Sequence, residues 1–94
     1  MSLGDQKARE FTRTEIQALN IGLIGIYGLY RGDTWIYVGR GDIRKRLLAH
    51  LNGDHACISR QGPTHWVATL TMDHEAMEKK YIRLYDPICN IKIG

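Results

Sequence analysis

Ile21-Gly22-Leu23-Ile24-Gly25-Ile26-Tyr27-Gly28-Leu29-Tyr30, then Arg31-Gly32-Asp33-Thr34, then Trp35-Ile36-Tyr37-Val38-Gly39 is the stretch whose reading decides the fold. The first segment carries no charge and is rich in Ile, Leu, Tyr and Gly. The last is aromatic and β-branched from Trp35 to Val38. The four residues between them have turn chemistry, so the stretch predicts a β-hairpin. Downstream, Asp42 is suited to accept from the free N–H groups of a first helical turn. Ile43, Leu47, Leu48 and Leu51 follow at helical spacing until Asn52-Gly53 stops the helix. His55 to Pro63 reads as loop. Trp66, Ala68 and Leu70 alternate as in a third strand. Asp73 is expected to cap a second helix that runs to about Tyr85 and ends at Asp86-Pro87. Ile88 to Ile93 reads as an extended tail that could pack back on the core. Upstream, Thr12 to Asn20 is weakly helical, with Ile16 and Leu19 three apart. The expected fold is a small α+β domain with a three-stranded, mainly antiparallel sheet flanked by helices. One domain spans residues 1–94, with 1–20 as an N-terminal extension or weak helix and 21–93 as its core.

Composition narrows the function classes. A chain of 94 residues with 44% hydrophobic content suits one small globular domain. No apolar run is long enough to span a membrane. Met1 to Glu10 is polar and mixed in charge, unlike a signal peptide. Cys57 and Cys89 lack the spacing of a zinc site and are expected to be reduced, in a cytoplasmic protein. The net charge of +3 is unevenly spread. Its excess lies in residues 31–60, where Arg31, Arg40, Arg44, Lys45, Arg46 and Arg60 face only Asp33, Asp42 and Asp54. Arg40, Arg44 and Lys45 are therefore the candidate DNA-binding residues, against the plainer reading of a solvated helix start.

Gly25-Ile26-Tyr27 and Tyr37-Val38-Gly39 place two tyrosines ten positions apart. Arg46 stands nine residues beyond Tyr37, His50 four beyond Arg46, and Glu78 and then Pro87-Ile88-Cys89-Asn90 follow. In this ordered set the chain resembles the GIY-YIG nuclease family over Ile21 to Ile93. The twelve-residue interval from Glu78 to Asn90 is similar to that of the family's nucleotide-excision repair branch. The resemblance implies a metal-dependent endonuclease that hydrolyses DNA phosphodiester bonds with Mg²⁺ or Mn²⁺. It implies a site of Tyr27, Tyr37, Arg46, His50, Glu78 and Asn90, with Glu78 as the metal ligand.

The helical spacing bears on the same residues. Arg46 and His50, at i and i+4, fall together just off the apolar arc of their helix. Glu78 falls inside the apolar arc defined by Met77, Tyr81, Ile82, Leu84 and Tyr85, whereas Lys79, Lys80 and Arg83 lie opposite. A carboxylate there is costly unless a cation meets it. A hard divalent ion would do so; the competing reading is an ion pair with an arginine such as Arg46.

In the roles the resemblance implies, Arg46 grips phosphate oxygens, and one of the two tyrosines accepts a proton from water. His50 orients or relays, and Asn90 holds the site together from outside the reacting groups. Arg40 stands where several relatives carry Lys, and an arginine stays protonated, which rules out proton exchange at that position. The two hydroxyls share a face directly opposite one another only if the hairpin loop is odd, as in Arg31-Gly32-Asp33. The expectation is that odd loop, or a bulge that restores the alignment, rather than a two-residue Gly32-Asp33 turn alone. His55, His65 and His74 read as satisfied or surface histidines. Trp35 and Trp66 read as core more than as base-stacking platforms. A non-catalytic nucleic-acid binding module is the alternative to the enzyme. The partner is expected to be DNA and not membrane, with a homodimer or a separate targeting partner supplying specificity.

Overall fold

A computed structural model describes residues 3–90 of the chain. After a single 3-10 turn at Leu3–Asp5, the elements are β1 (Arg9–Glu10), α1 (Arg13–Gln17), β2 (Ile24–Arg31), β3 (Thr34–Asp42), α2 (Ile43–Leu51), α3 (Ala56–Gln61), β4 (His65–Leu70) and α4 (His74–Tyr85). They form one antiparallel four-stranded sheet in the order β1-β4-β2-β3. The α+β class agrees with expectation, but the sheet has four strands rather than three. The added strand pairs Arg9 with Trp66 and Glu10 with His65. Two charged residues leave no alternating pattern to read.

Adjacent strand residues point to opposite sides of a sheet, and the core divides accordingly. Ile16, Tyr27, Leu29, Ile43, Leu47, Ile58 and Trp66 form one buried cluster. Leu3, Ile26, Val38, Val67, Tyr81 and Ile82 form the other. Helices α1, α2 and α3 thus cover one face, and α4 with the N-terminal turn covers the other. The N-terminal segment from residue 3 to residue 20 is tied into this core, since Leu3 and Ile16 are fully buried.

The hairpin turns through two residues, Gly32 and Asp33, with Arg31 opposite Thr34. Gly32 has φ of 59°, and a positive φ at the first central position suits the twist of such a turn. The expected odd loop is therefore absent, and the expected bulge is present. Tyr30 pairs with Trp35 and Leu29 with Tyr37, which leaves Ile36 as the extra residue. This insertion separates Trp35, which joins the α4-side cluster, from Tyr37, which joins the other. Tyr27 opposes Gly39, not Tyr37. The two tyrosines share a face on a diagonal, with ring centroids 6.3 Å apart.

Asp42 caps α2 as its sequence suggests. Its Oδ1 accepts from the Lys45 N–H at 3.1 Å, and its Oδ2 accepts from the Gly22 N–H at 3.1 Å. Asp73 does not cap α4 through its side chain; its carbonyl accepts from the Met77 N–H at 3.1 Å. The stretch read as loop from His55 to Pro63 contains α3, which ends at Gly62 with φ of 62°. Its six residues are too few for helical periodicity to register. Residues 88–90 of the expected tail lie along the outer edge of β3, and its remainder lies outside the described residues. Ile88 and Cys89 donate their N–H groups to the carbonyls of Trp35 and Ile36 at 3.2 and 2.8 Å.

Helix α3 and this segment together overturn the reading of reduced cysteines. Cys57 on α3 and Cys89 beside β3 form a disulfide, with Cα atoms 5.7 Å apart. The residues are 32 apart in sequence, and only the fold brings them together. Among the described residues no helix is long and apolar enough to cross a membrane.

Candidate active site

The site is built on the bulged end of the hairpin. Tyr27 on β2 leans across Gly39 on β3, where any Cβ would collide with the Tyr27 hydroxyl and ring and with the Tyr37 ring. This contact gives the glycine of Tyr37-Val38-Gly39 a local reason. Gly25 has a similar one, because a Cβ there would meet the backbone carbonyl of Thr69 on the neighbouring strand.

Helix α2 supplies the next layer. Tyr27 is fully buried, and its hydroxyl is 2.8 Å from His50 Nε2. His50 Nδ1 is 2.8 Å from Asp54 Oδ1. Burial pushes His50 below its ordinary range, against the pull of Asp54. The neutral ring then donates from Nδ1 to the carboxylate and accepts the phenol proton at Nε2. The chain Tyr27–His50–Asp54 runs from the sealed interior to a partly exposed carboxylate.

Arg46 lies one turn before His50, and its positive charge acts on both tyrosine hydroxyls. Burial pushes the Tyr27 phenol up, the neighbouring Tyr37 adds to the rise, and Arg46 opposes it. Tyr37 is also raised, first by burial, while Arg46 pulls it down and the charge of Glu78 pushes it up. The difference between the tyrosines is access. Tyr37 is half-buried and Tyr27 has no exposed surface. Only Tyr37 can meet a substrate without rearrangement.

Glu78 enters from α4. Its side chain retains 23% exposure, so it is neither sealed nor free in solvent. Its carboxylate pairs with Arg40 Nε at 3.4 Å, not with Arg46. Arg40 also reaches His74 Nδ1 at 3.3 Å from its NH1 group. Asn90 uses both ends of its amide on one residue. Its Oδ1 accepts from the Val38 N–H at 2.8 Å and its Nδ2 donates to the Val38 carbonyl at 2.9 Å. Asn90 thereby mimics a neighbouring strand and fixes β3 between Tyr37 and Gly39.

Tyr27, Tyr37, Arg46 and His50 therefore come together directly, Glu78 acts on Tyr37 through its charge, and Asn90 braces the strand. Arg40 pairs with Glu78 on the α4 side. Arg44 and Lys45 stand apart, lining a cleft with Ile21, Asp42 and Leu48.

Three residues enter that sequence reading did not select. Asp54 is i+4 from His50 but lies beyond the helix stop, which concealed the pairing. His55 packs its ring 5.4 Å from that of Tyr37 and 6.4 Å from that of His50. His74 is i−4 from Glu78 on one helix face, a spacing that could have marked it.

Comparison of the chain with protein-family models, with curated proteins and with solved structures found no match.

Proposed function

We propose that the protein is a metal-dependent endonuclease that hydrolyses DNA phosphodiester bonds, in the manner of the GIY-YIG nucleases its motifs resemble. One observation carries the reading: the half-buried Tyr37 hydroxyl lies within the fields of the Arg46 guanidinium and the Glu78 carboxylate. Phosphodiester hydrolysis needs a proton acceptor for water, a cation on the phosphate and charge compensation at the leaving oxygen. Tyr37, once its own proton has passed to solvent under the pull of Arg46 and of a bound ion, would take the proton from water as a tyrosinate. Arg46 would hold two phosphate oxygens in its planar fork. Tyr27, hydrogen-bonded to His50, fills the floor of the site.

Glu78 is suited to a single hard divalent ion. It is one partly exposed carboxylate, and Mg²⁺ commonly takes one or two carboxylates and completes its shell with water and phosphate oxygens. Among the described residues no group of three or more His, Cys, Asp or Glu side chains converges to cage an ion. Glu78 would hold the ion alone, and the ion, when bound, would neutralise charge at the phosphate and the leaving oxygen.

The expected outcome in a plasmid-cleavage assay is nicking or cutting that requires Mg²⁺ or Mn²⁺. It falls at least about a hundredfold in Tyr37→Phe, Arg46→Ala and Glu78→Ala, the scale typical of lost acid–base or electrostatic groups. Three folded variants that cut like the parent would refute the site.

A second reading rests on the Arg40–Glu78 ion pair, which already gives the carboxylate a cation. It makes the protein a non-catalytic nucleic-acid binding module. Salt-sensitive binding with no turnover under any divalent ion would favour it over the enzyme.

A further inference from the structure

We propose that Arg40 is a resident counter-cation of Glu78 which a divalent ion and a nucleic-acid phosphate divide between them, so that the two ligands bind cooperatively. The inference rests on the nuclease reading of Glu78 and concerns what must happen before that site can work.

Arg40 leaves the edge of the sheet at the end of the site and lies along the first turns of α4. Its Nε is 3.4 Å from Glu78 Oε1, and its NH1 is 3.3 Å from His74 Nδ1. Glu78 and His74 are one helical turn apart on the same face, so one guanidinium spans both. A guanidinium only donates, so His74 Nδ1 accepts and helps hold the fork in place. The cation is the more exposed half of the ion pair, at 40% against 23% for Glu78.

A divalent ion on the Glu78 carboxylate cannot share it closely with a guanidinium, because the two cations repel. Metal entry therefore displaces Arg40. The freed fork then needs an anion, and a backbone phosphate matches its planar donors. In the other direction, a phosphate that draws Arg40 away leaves Glu78 without its counter-ion and raises its appetite for the metal. By linkage the two enhancements are equal. The pair is partly exposed, so the effect is modest and screened by salt.

The test titrates Mn²⁺ into the parent, Arg40→Gln, Glu78→Gln and Arg83→Gln at low salt, following free Mn²⁺ by electron paramagnetic resonance. Arg83 is an exposed cation of α4 and controls for net charge. A second arm measures anisotropy of a labelled phosphorothioate duplex with and without Mn²⁺. Arg40→Gln is expected to bind Mn²⁺ about two- to fivefold more tightly than the parent without DNA, the range of an exposed ion pair. Its duplex affinity should lose most of the Mn²⁺ dependence shown by the parent, and Arg83→Gln should match the parent in both arms. Mn²⁺ uptake that needs Glu78 but ignores Arg40, or that tightens equally in Arg83→Gln, overturns the coupling and leaves the metal site standing. Absence of any Glu78-dependent uptake overturns the metal site and the coupling with it.

Discussion

A phenol sealed from water keeps its proton and needs a partner for it. Tyr27 finds one in His50, and leaving such a buried hydroxyl unpaired would cost about 1–3 kcal/mol. The pair has a pH signature set by His50. Burial discourages a positive charge on its ring, Arg46 and His55 add to that, and together they outweigh the pull of Asp54 and lower its pKa. On acidification the unfolded chain takes up a proton near the ordinary value of 6.5, which the folded chain resists. Stability contributed by neutral His50 is therefore fully present above that value and is lost as pH falls through the depressed folded value. Urea midpoints measured across this interval should decline with acidity in the parent and decline less in His50→Gln. Equal slopes in both proteins would show that another group carries the effect.

At the level of elements, the site depends on a bulge, a short helix and a strap. Ile36 turns Tyr37 onto the face of Tyr27 and sends Trp35 to the other side, where it stacks on Tyr85 at 4.2 Å. Helix α3 carries His55 toward Tyr37 and Cys57 toward Cys89. The disulfide then holds the segment whose Asn90 grips Val38. Cys57→Ser, or the parent in excess dithiothreitol, should lose about 2–4 kcal/mol of stability, as for a disulfide closing a loop of this order. Urea denaturation of oxidised and reduced protein measures it directly, and coincident curves would mean that the bond adds nothing. Hydrophobic pattern revealed β2, β3, β4, α2 and α4, because each repeats its signal over enough residues. It could not reveal β1 or α3, which are too short to have a period. It also could not locate the bulge, where turn chemistry favoured Gly32-Asp33 and the tyrosines required one more residue.

For the whole molecule, four of the six cations in residues 31–60 bear on where an anion could run. Arg46 borders the tyrosine cluster and Arg40 pairs with Glu78 of α4, while Arg44 and Lys45 line the cleft by Asp42. If DNA runs past both, its affinity should fall with salt at a logarithmic slope of about −0.9 per phosphate neutralised. Arg44→Gln and Lys45→Gln should each reduce that slope by about one, measured by anisotropy over a salt series. An unchanged slope would place the DNA track away from this cleft.

The sequence by itself determined the hairpin, the two long helices and the residue types of the candidate site. These follow from local rules: side-chain period, capping and turn chemistry act over a few neighbours. The tertiary structure decided which partners those residues take. It gave Glu78 to Arg40 and not Arg46, tied His50 to Asp54, sealed Tyr27 while leaving Tyr37 open, and joined Cys57 to Cys89. Each of these depends on distance and burial between elements packed against one another, which no periodicity along the chain encodes.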